Sequence, residues 1–281
     1  MKLAKLINRV NQIKKISSQK WKKSLTKRKI EELRFHDRDK DIKFQNEAIK
    51  NSSYEQFYGN IKYYKTTERS KKYVENWIRL KSKDKIFLDY ACGNGESAIL
   101  AAKSGASLSL GLDLSVVSIK NAKKIAHKNN LKNVIFFQAD AENTKLPENS
   151  IDIIVCSCML HHLDLSFAFH ELRRILKPGG IILAYESLNY NPALKLYRFL
   201  TPEMRTDWEK KHILNLKDIE FAKKFFDIGE IRYWHVVGYL AGKFPILSKL
   251  LEFVDIIFEK IPFIQLMSWV FTFELIKRKE K

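Results

Sequence analysis

The chain has little cysteine, no acid at its start and no long apolar run, and each shortage narrows its class. Its three cysteines, Cys92, Cys156 and Cys158, are too few for a disulfide framework and point to a reducing, cytoplasmic setting. The first thirty residues hold eleven Lys and Arg and no Asp or Glu, more than half of the +19 net charge. A polyanionic partner would therefore meet that end first. The apolar residues there (Leu3, Leu6, Ile7, Val10, Ile13, Ile16) are interspersed with Asn, Arg, Gln and Lys, which is not the apolar block of a signal peptide. In the greasy C-terminal third the longest uncharged run is residues 261–273, short of the roughly 18 to 20 residues that a membrane span needs. A disulfide scaffold and an integral membrane helix are thereby excluded. A soluble or membrane-peripheral protein is expected.

What is present is a 281-residue chain with 45% hydrophobic residues, enough for one sizeable core and an appended part. Two regions are expected: a basic and aromatic helical extension over residues 1–80, and a main domain over 81–281. The apolar spacing of residues 1–34 predicts one basic amphipathic helix. From residue 84 short apolar runs alternate with helical stretches. Strands are predicted at 85–90, 107–113, 133–138, 151–157 and 181–186, with helices at 96–104, 116–129 and 165–176 between them. Ser115 is a candidate N-cap, and Lys177-Pro178-Gly179-Gly180 a helix stop. Strands alternating with helices in this way give βαβ units and a parallel sheet buried on both faces. Beyond it lie a polar-aromatic stretch at 188–214, a strand near 229–237, an apolar helical insertion at 238–265 and a last segment at 268–277.

The chemistry concentrates at the strand ends. Asp89-Tyr90-Ala91-Cys92-Gly93-Asn94-Gly95 leaves the first strand; glycines there let a ligand approach the backbone, and the next helix offers free N–H groups. Gly93 to Ala98 fits the G-x-G-x-x-A dinucleotide pattern, which alone is weak. Asp113 at the tip of the second strand can accept both hydroxyls of a ribose, and Asp140 ends the third. Three acids at three successive strand tips mark a ligand-binding edge, because open α/β sheets bind at the carboxyl ends of their strands.

In FLDYACGNG, GLDLS, QADAENTKLPENSIDIIVCSCMLHHL and ELRRILKPGG, residues 84–186 resemble the class I S-adenosylmethionine (SAM)-dependent methyltransferases, particularly their ubiquinone/menaquinone C-methyltransferase branch. The resemblance implies a Rossmann-like, mostly parallel seven-stranded α/β sheet with helices on both faces. It also implies SAM as cofactor. Asp89 and the Gly93/Gly95 turn would hold the methionine moiety, Asp113 and Leu114 the ribose, and Asp140 with the Ala141 amide the adenine. Cys156 would line the pocket. Ala91 stands where the family usually has its first glycine, a tolerable departure if its φ stays negative.

On the acceptor side, His162 is the candidate base, with a packing role its rival. The adjacent histidines 161 and 162 lack a third metal ligand at any recognisable spacing. Glu186 is a candidate wall of the pocket. Residues 188–214 read either as a loop closing over the acceptor or as an irregular connector. The basic N-terminal helix has three readings: packing on the domain, lying on an anionic membrane, or tracking RNA phosphates. No RNA-binding module is recognisable, and the oligomeric state is open. A methyltransferase for a small, lipophilic acceptor is the expectation, with an RNA methyltransferase or a nicotinamide oxidoreductase as its rivals. The latter lacks a proton-relay pair and leaves Asp140 unexplained.

Overall fold

The computed structural model describes residues 2–39, 49–50 and 54–279. Seven strands form one sheet in the order β3-β2-β1-β4-β5-β7-β6: β1 Ile86–Tyr90, β2 Leu108–Asp113, β3 Val134–Gln138, β4 Ile151–Ser157, β5 Leu176–Ser187, β6 Asp227–Trp234 and β7 Val270–Ile276. The first five pair in parallel; β7 runs antiparallel between β5 and β6. This is the Rossmann-like methyltransferase arrangement.

Its strands are apolar on both faces, as a doubly covered sheet requires. Leu88 and Tyr90 of β1, Ile154 and Cys156 of β4, and Ile182 and Ala184 of β5 pack in one buried cluster. Their neighbours Phe87, Ile153, Val155, Leu183 and Tyr185 pack in another. The two-residue period thus sorts each strand between two cores. Helices cover both sides, with α6 (Glu68–Lys81) on the second and α9 (Leu165–Ile175) on the first. Between strands run α7 (Glu96–Lys103) and α8 (Val116–Lys128). Ser115 caps α8, its side chain accepting from the Ser118 N–H. Helix α9 ends at Ile175, and Lys177-Pro178-Gly179-Gly180 falls inside β5, where the pairing with β4 shifts register.

The N-terminal segment differs from the single helix expected. It forms three helices, α1 (Lys2–Lys14), α2 (Ser18–Ser24) and α3 (Lys27–Asp39). Ser17 breaks the first from the second: its side chain accepts from the Lys20 N–H and starts a new helix instead of continuing the old one. Leu6, Val10, Ile13 and Trp21 are buried in the first core cluster. The apolar stripe is therefore spent inside the protein, and the membrane reading of residues 1–34 loses the face it needs. Shorter helices α4 (Tyr54–Tyr58) and α5 (Ile61–Tyr64) precede α6.

After β5, residues 188–214 are more ordered than an irregular connector: α10 (Pro192–Leu200) and α11 (Glu209–His212) lie within them. Asn191 caps α10, accepting from the Ala193 and Leu194 N–H groups. Then come α12 (Leu216–Ala222) and, before β7, the insertion carrying α13 (Ser248–Phe258). Among the described residues no helix is long and apolar enough to cross a membrane.

Candidate active site

Two cavities meet at the carboxyl ends of the parallel strands. The first, about 300 Å³, is bounded by Ala91, Gly93, Asp113, Leu114, Asp140 and Ala141 from the strand-end turns, and by Arg28, Lys29, Glu32 and His36 of α3. The second, about 490 Å³, is mainly aromatic, with Tyr63, Tyr64, Tyr197, Tyr239 and Trp269 among its walls. His36, Cys158 and His162 border both.

The glycine turn is built by its conformation. Gly95 has φ +81°, and a Cβ there would lie 2.4 Å from the Phe136 ring, so no side chain fits. The Gly93 N–H donates to Asp113 Oδ2 at 2.8 Å, and the Ser115 N–H to Asp113 Oδ1 at 2.7 Å. The aspartate is thus locked at the cavity edge. Ala91 has φ +56°, against the negative φ expected: alanine here adopts the left-handed conformation that suits glycine, at a cost of about 1–2 kcal/mol. Asp89 lies beneath the turn. It is 3% exposed and accepts from the Ala98 N–H at 3.0 Å, tethering the start of α7. Burial raises its pKa to about 8, offset in part by that hydrogen bond.

Asp140 closes the other end. Its Oδ1 accepts from the Glu142 N–H at 2.9 Å, while the Lys29 ammonium sits 2.6 Å from Oδ2 and 2.8 Å from Glu142. Arg28 pairs with Glu142 and also donates to the His162 carbonyl at 2.7 Å. Helix α3 therefore roofs the cleft through charged contacts, which the sequence reading missed. Its signal was the spacing of Arg28, Glu32 and His36, which puts them on one helix face. Cys156 is fully buried in the core, and Cys158, one residue beyond the strand, takes the cavity wall.

The histidine pair divides its roles. His161 Nδ1 is 2.5 Å from Glu186 Oε2, and Oε1 of the same carboxylate accepts from the N–H groups of Met159 and Leu160 at 2.8 and 2.7 Å. Burial lowers the His161 pKa, but the Glu186 charge and hydrogen bond outweigh it, and the net shift is upward. His162 Nδ1 is 2.9 Å from Glu32 Oε2. Burial and the neighbouring His161 depress its pKa to about 3 despite that carboxylate, so it is neutral. Glu209 supplies the third group that sequence spacing hid: its carboxylate and the ring nitrogens of both histidines lie within 4.8 Å of one another. Nearby, Arg205 is 3.6 Å from Glu209. The pKa of Arg198 is lowered to about 10 by burial and by Arg205.

Comparison with known proteins gives the class of the central segment. Residues 88–184 match a family described as "Methyltransferase domain". Protein arginine N-methyltransferase 8-B of Danio rerio is 32% identical over 118 residues, covering 40% of this chain and 28% of the relative. The 27-O-demethylrifamycin SV methyltransferase of Amycolatopsis mediterranei (strain S699) is 32% identical over 105 residues, covering 37% of this chain and 38% of the relative. A geranyl diphosphate methyltransferase, solved with GPP and sinefungin, shares the fold with TM-score 0.56 at 14% identity over 74% of this chain and 78% of that one. The chain spans about a third of the length of the curated relatives it matches. Residues 88–184 carry a methyltransferase domain.

Proposed function

We propose that the whole chain is an enzyme that moves the SAM methyl group to a small, lipophilic acceptor whose reacting atom carries an acidic proton. The observation that carries this reading is the junction of the two cavities at Cys158 and His162. A cleft edged by Asp113 and Asp140 and a chamber with aromatic walls lie side by side across these shared residues, the adjacency that an in-line displacement between two bound reactants requires.

The residues of the cleft suit SAM. Gly93 leaves backbone room for the methionine part, with Gly95 shaping the turn behind it, Asp113 offers carboxylate oxygens to the ribose, and Asp140 with Ala141 stands at the adenine end. SAM supplies an activated methyl on sulfur. The aromatic walls hold the acceptor and exclude water from it. His161, rather than His162, takes the acceptor's proton: Glu186 fixes the Nδ1 proton, leaving Nε2 as the base. Arg198 and Arg205 carry more positive charge than Glu209 balances, which suits an acceptor with an anionic group on its apolar body. The ubiquinone/menaquinone branch that the motifs resemble handles acceptors of this lipophilic kind, and a cytoplasmic setting accords with the three free cysteines.

Calorimetric titration with SAM tests the cofactor half. Wild type binds, and Asp113→Ala weakens binding roughly tenfold or more, the scale of a charge-assisted hydrogen bond. No heat with wild type, or equal affinity in the variant, overturns it. Transfer of labelled methyl from SAM to phenolic and isoprenoid acceptors, and to a basic protein as control, tests the acceptor half.

A further inference from the structure

Helix α13 is inside out. Its sole buried residue is an aspartate, Asp255, while Leu250, Phe253, Ile256 and Ile257 are exposed. The polar residues moor it. Asp255 accepts from the N–H groups of Val237 and Gly238, and Glu259 just beyond the helix accepts from the His235 N–H and pairs with Arg69. The apolar face is turned outward by this mooring, and its flanks extend it: Ile246 is 95% exposed and Phe263 83%. Soluble surfaces rarely leave so many large apolar side chains in water without a use.

Beside this face lies a third hollow, bordered by Pro245 and Ser248, by Lys62, Lys65, Arg69 and Lys72, and by Glu68, Glu252 and Asp255, so that its cations outnumber its acids by one. Exposed Lys249 lies in the first turn of the helix, and exposed Lys243 and Lys260 flank it. An apolar face rimmed by cations matches a bilayer that carries anionic headgroups. The same rim opposes self-association, because a two-fold pair would bring like charges together. The segment that carries α13 also supplies Tyr239, Leu240 and Lys243 to the wall of the aromatic chamber.

We propose that the α13 face and the exposed lysines around it dock the protein on an anionic lipid surface, beside the mouth of the acceptor chamber. The docking stands on the exposed face alone; delivery of acceptor from the lipid rests on the lipophilic-acceptor reading.

The experiment is co-sedimentation with vesicles of phosphatidylcholine, with and without about one-quarter phosphatidylglycerol. Wild type sediments with the anionic vesicles and is released by salt. Ile246→Glu and Phe253→Glu each reduce partitioning roughly tenfold or more, the loss of one buried apolar side chain. Both sites are exposed, so the variants keep wild-type SAM binding by calorimetry, which separates a failure of docking from a failure of the cofactor site. Lys14→Glu with Lys15→Glu, on α1 and just after it, leaves sedimentation within about threefold. The proposal is overturned if wild type stays in the supernatant, if the α13 variants sediment as wild type does, or if the lysine variant alone abolishes binding. It is also overturned if sedimentation velocity shows a dimer that Phe253→Glu dissociates and no vesicle binding.

Discussion

Replacing Glu186 by Gln tests whether proton removal by His161 drives the reaction. In wild type Glu186 is wholly buried and accepts from three donors: two backbone N–H groups on one oxygen and His161 Nδ1 on the other. A glutamine fits the same space, and the two N–H groups force its carbonyl oxygen to face them. Its amino group then faces His161, and an N–H cannot receive another N–H. The imidazole must shift its proton to Nε2 and present a donor to the acceptor chamber, so the base is lost while the fold keeps its hydrogen bonds. The expected stability cost is about 1–2 kcal/mol, from a charge-assisted bond weakened to a neutral one. The expected fall in kcat is about 10²- to 10⁴-fold, with SAM affinity unchanged. Initial rates with labelled SAM, measured across pH, read it out. Wild-type activity falls as pH drops through the raised His161 pKa, because the protonated ring cannot take a proton. In the variant that limb moves to lower pH. A variant within about threefold of wild type at every pH refutes the role and leaves transfer to proximity alone.

Two further outcomes follow from the turn after β1. Ala91→Gly removes a left-handed penalty of about 1–2 kcal/mol and adds about 0.5–1 kcal/mol of glycine chain entropy. Net stabilisation of about 0.5–1 kcal/mol and a Tm rise of about 1–3 °C are expected in thermal unfolding; a destabilised variant refutes the strain. For Asp89, the folded pKa of about 8 lies above the ordinary aspartate value of 3.8, so between those values the native state holds a proton that the unfolded chain has lost. Stability therefore falls as pH rises through that window. Asp89→Asn still accepts from the Ala98 N–H but carries no such proton, and urea unfolding across pH shows a flatter profile than wild type. Parallel profiles refute the buried, protonated carboxyl.

The strands and helices of the central domain were legible because their signals are local. Continuous apolar runs such as residues 151–157 become β4 in the middle of the sheet, and Ser115 caps the helix that it announces. Asp113 was legible for the same reason, since it is the last residue of β2 and a strand's end fixes where its last side chain stands, whereas Asp89, one residue short of the end of β1, is buried beneath the turn. The cysteines show where local reading stops. Cys156 is next to last in a buried strand and its alternation sends it into the core, whereas Cys158 has left the strand with φ +51° and turns toward the cavities.

The roof over the cleft could not be read in this way. Lys29 and Asp140 are 111 residues apart, and Glu32 and His162 are 130 apart; neither pair has a local pattern that announces it. Only the burial of Leu6, Val10, Ile13 and Trp21 against the sheet fixes the path that brings α3 across the strand ends. Of the three readings of that stripe, packing on the domain is the one the structure shows, and the packed stripe is the anchor that completes the site. Helix α13 shows the converse, because the apolar insertion expected at 238–265 keeps its large side chains at the surface, moored there by one buried aspartate.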